Sequence, residues 1–367
     1  MAKWDKEYLK LCRKILAEGV RVKNRTGIDT IKIPSYELKF DLGEEFPFLT
    51  TKQLYYKAAI KEITWIMIRT CNDVRWLQER GVHIWDEWEV DEDGIYRIYY
   101  PDGKAPLNAP EEVPVYYNTG VTGTDGKDIM EQMYITRSGK VYTESNKKKT
   151  AKPMMAKATE KAKEKGKVIK SARWFGPEYA HTIGHAYGYT VGLRDLFMRA
   201  IYLINACKED PSISDGRRII INLWQEDDIK DAVLKPCVFC SEWDVTDGKL
   251  NAYVHQRSCD VPLGLPFNVT QYSALLYLVA HVTGLKPGTL SWSIKDAHIY
   301  ENQIEGIMEQ IERGDKVENG ELEDLPAPEL WIDPELTDLN NIDDRELSNV
   351  KVLNYKHHGP ISFPLAQ

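Results

Sequence analysis

Residues 255–268, HQRSCDVPLGLPFN, decide the fold because they join a strand to a long apolar helix. Alternating polar and apolar residues over 250–256 predict the strand, and the apolar run 269–284 predicts a buried helix that ends at Gly284. Between them stand an arginine, a serine, an aspartate and an asparagine around a Gly-Leu-Pro turn. This density of polar groups between two apolar segments indicates a functional site where the strand passes into the helix.

Two arginine-containing sites in the sequence suit an anion. Arg257 beside Ser258 fits a phosphate, because a guanidinium offers a fork of donors and the hydroxyl adds one more. Taken by itself, Arg257 is better explained by a surface salt bridge. Arg217 and Arg218, which enter an apolar segment, form a second candidate anion site with the same alternative explanation.

Outward from this junction, helices and strands mix without regular alternation. We predict further helices over 5–18, 53–70, 193–207, 227–233 and 301–313. We predict further strands over 30–33, 36–40, 218–224 and 237–245. The absence of a repeating strand–helix pattern favours an α+β fold over a doubly wound parallel sheet.

Residues 95–180 differ from the rest of the chain in composition and in hydrophobic pattern. They are rich in tyrosine, glycine and proline, then in lysine, and they show no long hydrophobic period. We interpret the chain as one catalytic domain, 1–367, that carries this segment as an insertion with a short strand pair and a polar helix near 154–167. Ten lysines lie within 147–170, where a solvated face is the simpler explanation and a contact with nucleic acid or an acidic replication protein the alternative.

Length, charge and hydropathy limit the class of protein. The 367 residues, 43% of them hydrophobic, suffice for a sizeable core. A formal net charge of -8 argues against a general nucleic-acid coat, which needs a basic face. The most apolar window, 274–282, falls well short of the roughly 20 residues of a membrane span, and no basic start precedes an apolar run. We therefore expect a cytoplasmic enzyme that does not enter a membrane.

The six cysteines are too sparse for a disulfide scaffold, which leaves the pair in KPCVFCSEW, 235–243, to be explained. The spacing suits a redox pair, half of a zinc site, or two packing residues. No second C-x-x-C pair accompanies it, so the zinc reading is weak. Residues three apart in a strand point to opposite faces, so Cys237 and Cys240 are not expected to meet.

Eight motifs occur in one order along the chain. They are NRTG (24–27), FPFLTTK (46–52), IWDEW (84–88), HAYGY (185–189), GRR (216–218), KPC (235–237), HQRSCDVPLGLPFN (255–268) and DAHIY (296–300). This series resembles the thymidylate synthase family and covers nearly the whole chain apart from the insertion. The resemblance implies an α+β fold with a mixed, curved β-sheet flanked by helices, and a folate-dependent one-carbon transfer to C5 of dUMP.

The resemblance also assigns roles in the chemistry. It implies that Cys237 adds to C6 of the nucleotide as a thiolate, which nearby cationic groups favour. Asn268 would read the base, because a carboxamide can donate to O4 and accept from N3–H of uracil, whereas cytosine presents the reverse pattern. Glu62 would organise water for proton transfers, and Tyr187 would lie near the C5 proton.

The remaining implied contacts concern the two substrates and a second subunit. The residues implied to bind dUMP are Arg25, Arg217, Arg218, Arg257, Ser258, Asp260, Asn268, His298 and Tyr300. Those implied to contact 5,10-methylenetetrahydrofolate, the co-substrate, are Lys52, Trp85, Trp88, Asp260 and Gly264, and no metal is implied. In the family the pair matching Arg217 and Arg218 reaches across from the other subunit, so a homodimer is implied.

Departures from the family pattern bear on which product forms. Val238 and Gln303 stand where the family usually has histidine, Lys295 replaces a glycine, and the chain ends in the polar Gln367. The polar C-terminus, Lys295 and the long insertion beside IWDEW favour a dUMP hydroxymethylase, in which water rather than hydride reaches the C5 methylene, as in some bacteriophages. The protein would then act in the cytoplasm of a phage-infected bacterium. Thymidylate synthase is the alternative, and a binding or assembly protein that acts through its insertion is a weaker one.

Overall fold

The computed structural model describes residues 1–100, 109–122, 128–137, 141–143 and 168–365. The chain divides into two units. The first comprises 1–71, 187–225 and 236–367, and the second comprises 72–186 and 226–235. The second unit is therefore wider than the predicted insertion 95–180, and the single-domain interpretation stays a prediction.

A mixed β-sheet organises the first unit. Its strands are β1 (Val20–Val22), β2 (Thr30–Asp41), β8 (Ile220–Asn222), β9 (Val238–Thr246), β10 (Lys249–Gln256), β11 (Cys259–Asp260) and β12 (Lys286–Tyr300). Among the described residues they follow the order β1-β2-β12-β10-β9-β8, with β11 paired to β12. Strand β12 runs parallel to β10 and antiparallel to β2. The sheet is thus mixed, as the resemblance implied.

Helices of the first unit are α1 (Lys3–Glu18), α2 (Tyr56–Ile63), α4 (Gly188–Leu193), α5 (Leu196–Glu209), α7 (Gly264–Thr283) and α8 (Ile304–Glu318). Helix α7 is apolar on nearly every side and is buried, as such a helix must be. It ends at Gly284, whose φ of 67° suits a glycine after a helix. Because α7 links β10 and β11 to the parallel β12, it forms the crossover that parallel pairing requires.

Several predicted boundaries shift in the structure. The strands predicted over 30–33 and 36–40 are one strand, β2, which passes through Ser35 with a φ of 54°. The helix predicted over 53–70 becomes α2 followed by a π-helical turn, Thr64–Ile68. Strand β12 was not predicted, and neither was the pair β13 (Glu329–Ile332) and β14 (Val350–Leu353).

Within its described residues, the second unit contains two small sheets and two short helices, α3 (Val74–Gln78) and α6 (Glu226–Ile229). One sheet pairs β3 (Ile95–Tyr99) with β7 (Ile169–Trp174). The other joins β4 (Glu112–Thr122), β5 (Asp128–Thr136) and β6 (Val141–Thr143). The two sheets share a buried cluster that contains Ile95, Val113, Val115, Met133, Ile135, Val141 and Ile169. The predicted polar helix near 154–167 and most of the lysine run lie outside the described residues.

Among the described residues, no helix combines the length and apolar character that crossing a bilayer requires.

Candidate active site

Cys237 lies just before β9 and is held from two sides through its backbone. Its N–H donates to the Tyr187 hydroxyl at 3.2 Å, and its carbonyl accepts from the Arg257 N–H at 2.9 Å. Tyr187 is itself buried and has a φ of 50°, which is rare for a residue with a side chain. The backbone thus places the thiol next to the phenol of Tyr187 and the first residue after β10.

The ionisation of Cys237 reflects two opposed effects. Burial raises the pKa of the thiol, because the thiolate loses its hydration, and the guanidinium groups of Arg257 and Arg25 lower it. The arginines act in the expected direction, towards the thiolate, but burial has the larger effect, so the pKa of the thiol is raised overall. Those arginines offset only part of the cost of burying the negative charge.

The second cysteine of the pair lies within β9. A β-bulge interrupts the pairing there, since His255 lies opposite Cys240 while Gln256 lies opposite Val238, with Phe239 as the extra residue. Simple alternation therefore does not separate the two sulfurs, and that argument fails. Both cysteines are nevertheless free thiols, and burial raises the pKa of Cys240 to about 11.

Of the predicted phosphate-binding arginines, the structure brings Arg257 and Arg25 to Cys237. The Arg257 Nε donates to the Pro236 carbonyl at 2.8 Å, which holds the side chain beside the residue that precedes Cys237. Ser258 directly follows Arg257 in the connection from β10 to β11. In contrast, Arg217 and Arg218 lie at the exposed 3₁₀ turn that follows α5, where Arg218 pairs with Asp215 at 2.8 Å.

A chain of side-chain hydrogen bonds passes through Asn268. The Trp292 Nε1 donates to Gln256 Oε1 at 3.0 Å, and Gln256 Nε2 donates to Asn268 Oδ1 at 3.1 Å. Asn268 Nδ2 in turn donates to Gln271 Oε1 at 3.1 Å, and Gln271 Nε2 donates to a Glu62 carboxylate oxygen. The structure therefore joins two predicted residues, Asn268 and Glu62, through a glutamine.

Sequence reasoning missed the other three members of this chain. Gln271 follows Asn268 by three residues on α7, a spacing that places both on one helix face. The contact between these two side chains could therefore have been predicted from the sequence. Gln256 stands inside the opening motif. Trp292 lies on β12, whose strand character had not been recognised.

Asp260 is fixed by two donors at the start of α7. Its Oδ1 accepts from the Leu263 N–H at 3.1 Å and its Oδ2 from Gln303 Nε2 at 3.0 Å. Burial raises the pKa of this carboxyl, and both hydrogen bonds oppose that shift. Gly264 borders the same space, because a Cβ there would lie 3.7 Å from Asn268 Oδ1. A carboxylate beside bare backbone and an amide can bind a flat, polar ring.

Gln303 also binds the C-terminal segment. The same Nε2 donates to the Pro364 carbonyl at 3.2 Å, while Gln303 Oε1 accepts from the Tyr300 N–H at 3.1 Å. Phe363 is buried one position earlier. Gln303 therefore ties the end of the described chain to Asp260.

Lys52 lies beneath this segment. Its Nζ donates to the Pro262 carbonyl at 2.5 Å and lies 4.4 Å from the centre of the Phe363 ring. Burial lowers the pKa of Lys52 to about 8. The Lys52 ammonium is covered here by Phe363, so the predicted contact with a folate tail would require the side chain to leave Pro262.

His298 and Tyr300 lie at the C-terminal end of strand β12. The His298 Nδ1 lies 2.9 Å from an Asp296 oxygen, and the two rings meet edge to face at 5.2 Å. The hydrogen bond from His298, helped by Lys32 at 2.6 Å, lowers the pKa of Asp296 to about 2. Asp296 is therefore an ionised acceptor, which assigns the Nδ1 proton to His298 and directs Nε2 away from Asp296.

Trp85 and Trp88 belong to the second unit. Trp85 precedes the 3₁₀ turn Asp86–Trp88 and Trp88 is its last residue; their rings lie 5.5 Å apart at an angle of 64°. Trp85 is buried, whereas Trp88 is half-buried and presents part of an aromatic surface.

Comparison with known proteins agrees with this arrangement. A family model described as "Thymidylate synthase" matches residues 6–367. The chain is 34% identical to a thymidylate synthase of Clostridium beijerinckii and 30% identical to that of Bacillus phage phi3T, each over 100% of both chains. Among solved structures, the thermostable thymidylate synthase A from Bacillus subtilis matches with a TM-score of 0.65 and 28% identity, over 99% of each chain. The chain therefore belongs to the thymidylate synthase family, the folate-dependent enzymes that transfer a one-carbon unit to deoxyuridylate.

Proposed function

We propose that this protein is a thymidylate synthase, which converts dUMP to dTMP with 5,10-methylenetetrahydrofolate. The observation that carries the proposal is the docked C-terminal segment, in which Gln303 binds both Asp260 and the Pro364 carbonyl while Phe363 covers Lys52. A segment held over the folate-side carboxylate excludes water from it. Water exclusion distinguishes a synthase from a hydroxymethylase, because water and hydride compete for the C5 methylene.

The features that favoured the hydroxymethylase carry less weight once the chain is folded. Gln303 binds the C-terminal segment instead of leaving it loose. Lys295 is exposed on β12. The insertion does not favour a hydroxymethylase either. Relatives named thymidylate synthase, one of them from a phage, align with this chain over the full length of both chains. Gln367 lies outside the described residues.

The residues around Cys237 suit the addition to C6. Arg257 and Arg25 would bind the nucleotide phosphate and partly offset the cost of a buried thiolate. Burial holds the pKa of Tyr187 well above its usual range, so its hydroxyl keeps its proton at neutral pH. Tyr187 can therefore orient a water or a substrate group as a neutral donor and acceptor, without adding charge near the thiolate.

The remaining residues orient the substrates. Asn268 would read the uracil edge, and His298 with Tyr300 would hold the deoxyribose hydroxyl. The folate supplies the methylene and the hydride, and Asp260 would hold its ring beside Gly264. Glu62, buried on α2, would pass protons through ordered water.

We also propose a homodimer in which Arg217 and Arg218 complete the phosphate site of the partner. Their position at an exposed turn supports this, because a guanidinium at the surface can reach a second subunit without first losing a buried partner.

One incubation distinguishes a thymidylate synthase from a hydroxymethylase by the product that forms. The protein is mixed with dUMP and methylenetetrahydrofolate, the nucleotide is weighed by mass spectrometry, and dihydrofolate is followed by absorbance. We expect methylated nucleotide with one dihydrofolate per turnover. Hydroxymethylated nucleotide with tetrahydrofolate would instead identify the hydroxymethylase, which remains the second candidate because Lys295 departs from the family pattern.

A further inference from the structure

The hydrogen-bond chain through Asn268 ends in two groups of opposite character. At one end stands the indole of Trp292, which can only donate, and at the other the carboxylate of Glu62, which accepts when ionised. Between them stand three carboxamides, Gln256, Asn268 and Gln271, each of which has one accepting and one donating end. An amide is chemically ambiguous by itself, since rotation by 180° exchanges its oxygen and nitrogen.

The two ends remove this ambiguity. Because Trp292 must donate, Gln256 must turn its oxygen towards the indole and its NH₂ towards Asn268. Asn268 must then present Oδ1 to Gln256 and Nδ2 to Gln271, which must in turn donate to Glu62. Every amide in the chain is thus directed the same way, and reversing any one would set two donors or two acceptors against each other.

This direction determines what Asn268 has left for a ligand. One lone pair of Oδ1 and one hydrogen of Nδ2 are used within the chain, so a second lone pair and a second hydrogen remain. The free lone pair of Oδ1 can accept a hydrogen bond from N3–H of uracil, and the free hydrogen of Nδ2 can be donated to O4 of uracil. A reversed Asn268 would match the N3 and amino group of cytosine instead.

We infer that Trp292 and Gln271 are specificity-determining positioning residues, which fix the direction of the Asn268 carboxamide and so make the site select uracil over cytosine. The inference rests on the proposed function, because it assumes that Asn268 reads the base. Trp292 is fully buried and Gln271 is 3% exposed, so water does not readily replace either hydrogen bond.

The test measures kcat/KM for dUMP divided by that for dCMP. Because each end alone still directs the chain, Trp292→Phe and Gln271→Met should each keep the wild-type ratio within about threefold. The double variant loses both ends and should lower the ratio about tenfold or more, a non-additive result typical of coupled residues. A single variant that alone lowers the ratio tenfold also supports the inference and identifies the dominant end.

Matched variants control for general disturbance of the core. Trp243 is also buried and donates from Nε1 to Ser241 Oγ at 3.0 Å, outside this chain of amides, so Trp243→Phe should leave the ratio unchanged. Asn268→Asp is the positive control and should move preference towards dCMP. The ratio does not depend on the concentration of folded enzyme, so partial unfolding cannot imitate the effect.

Two results would overturn the inference. One is a double variant with the wild-type ratio. If the double variant does not fold, Gln256→Glu combined with Gln271→Met replaces it. A carboxylate at position 256 accepts from Trp292 but cannot donate to Asn268, and Gln271→Met removes the link to Glu62, so an unchanged ratio there would be equally decisive. A wild-type protein that does not prefer dUMP would instead refute the proposed function, so the two failures are distinguishable.

Discussion

At the scale of single residues, the environment of Cys237 differs from that of Cys240 although both are free thiols. Cys237 contacts Tyr187 and Arg257 through its backbone, and two guanidinium groups act on its charge. Cys240 lies within β9 with its pKa raised by burial and by Glu242. The local charge, not the C-x-x-C spacing, distinguishes the sulfur of Cys237, the proposed nucleophile.

This difference predicts that Cys237→Ser abolishes turnover and Cys240→Ser largely spares it. Serine keeps the shape of the side chain but is a far weaker nucleophile, so the loss at position 237 should exceed about a thousandfold. The loss is measured by comparing the steady-state turnover of dUMP by both variants with that of the wild type. The opposite ranking would overturn the assignment of the nucleophile.

At the scale of elements, the loop 49–52 is attached to α1 through a buried carboxylate. Asp5 accepts hydrogen bonds from the backbone N–H and the hydroxyl of both Thr50 and Thr51. This holds Lys52 in the interior, where its Nζ reaches the Pro262 carbonyl. A loop that reads as polar in the sequence is thereby part of the core.

The buried Lys52 makes stability depend on pH. Its pKa is about 8 in the folded protein, against 10.5 as the ordinary value, so the folded state binds fewer protons between these pH values. The free energy of unfolding should therefore rise with pH across pH 8 to 10.5, by about 3 kcal/mol at most from this group. Denaturant unfolding of wild type and Lys52→Met across this range measures the difference, and parallel curves would contradict it.

The link between α8 and the C-terminal segment predicts an effect on product. Gln303→Leu removes the hydrogen bonds to Asp260 and Pro364, so water should reach the C5 methylene and part of the product should become 5-hydroxymethyl-dUMP. Gln310→Leu is the matched control, a buried glutamine that contacts Thr51. Mass spectrometry of the nucleotide measures the fraction of hydroxymethylated product. Pure dTMP from Gln303→Leu would show that the hydrogen bonds of Gln303 do not exclude water.

At the scale of the whole molecule, the proposed homodimer predicts complementation between inactive subunits. Cys237→Ser and Arg218→Glu are mixed under conditions that exchange subunits. If Arg218 serves the partner, each mixed dimer contains one intact site, and about a quarter of wild-type activity should return. If Arg218 serves its own chain, every site lacks one residue and the mixture stays inactive.

Much of the fold followed from local pattern, and the failures have identifiable causes. Helix α7 and strand β10 were predictable because long apolar runs and strict alternation leave few other structures. Strand β12 was missed, although Leu290, Trp292 and Ile294 alternate with polar residues in the sequence and are all buried on one face. A strand in the middle of a sheet is stabilised by its neighbours, which a single segment does not reveal.

The sequence by itself determined the family, the order of the motifs and the identity of the residues that gather at Cys237, since those depend on residue type and spacing. Only the tertiary structure decided the bulge at Phe239, the burial of Lys52 and the amide chain from Trp292 to Glu62. The reason is physical. Desolvation and hydrogen-bond direction depend on which distant segments pack together, and local sequence does not carry that information.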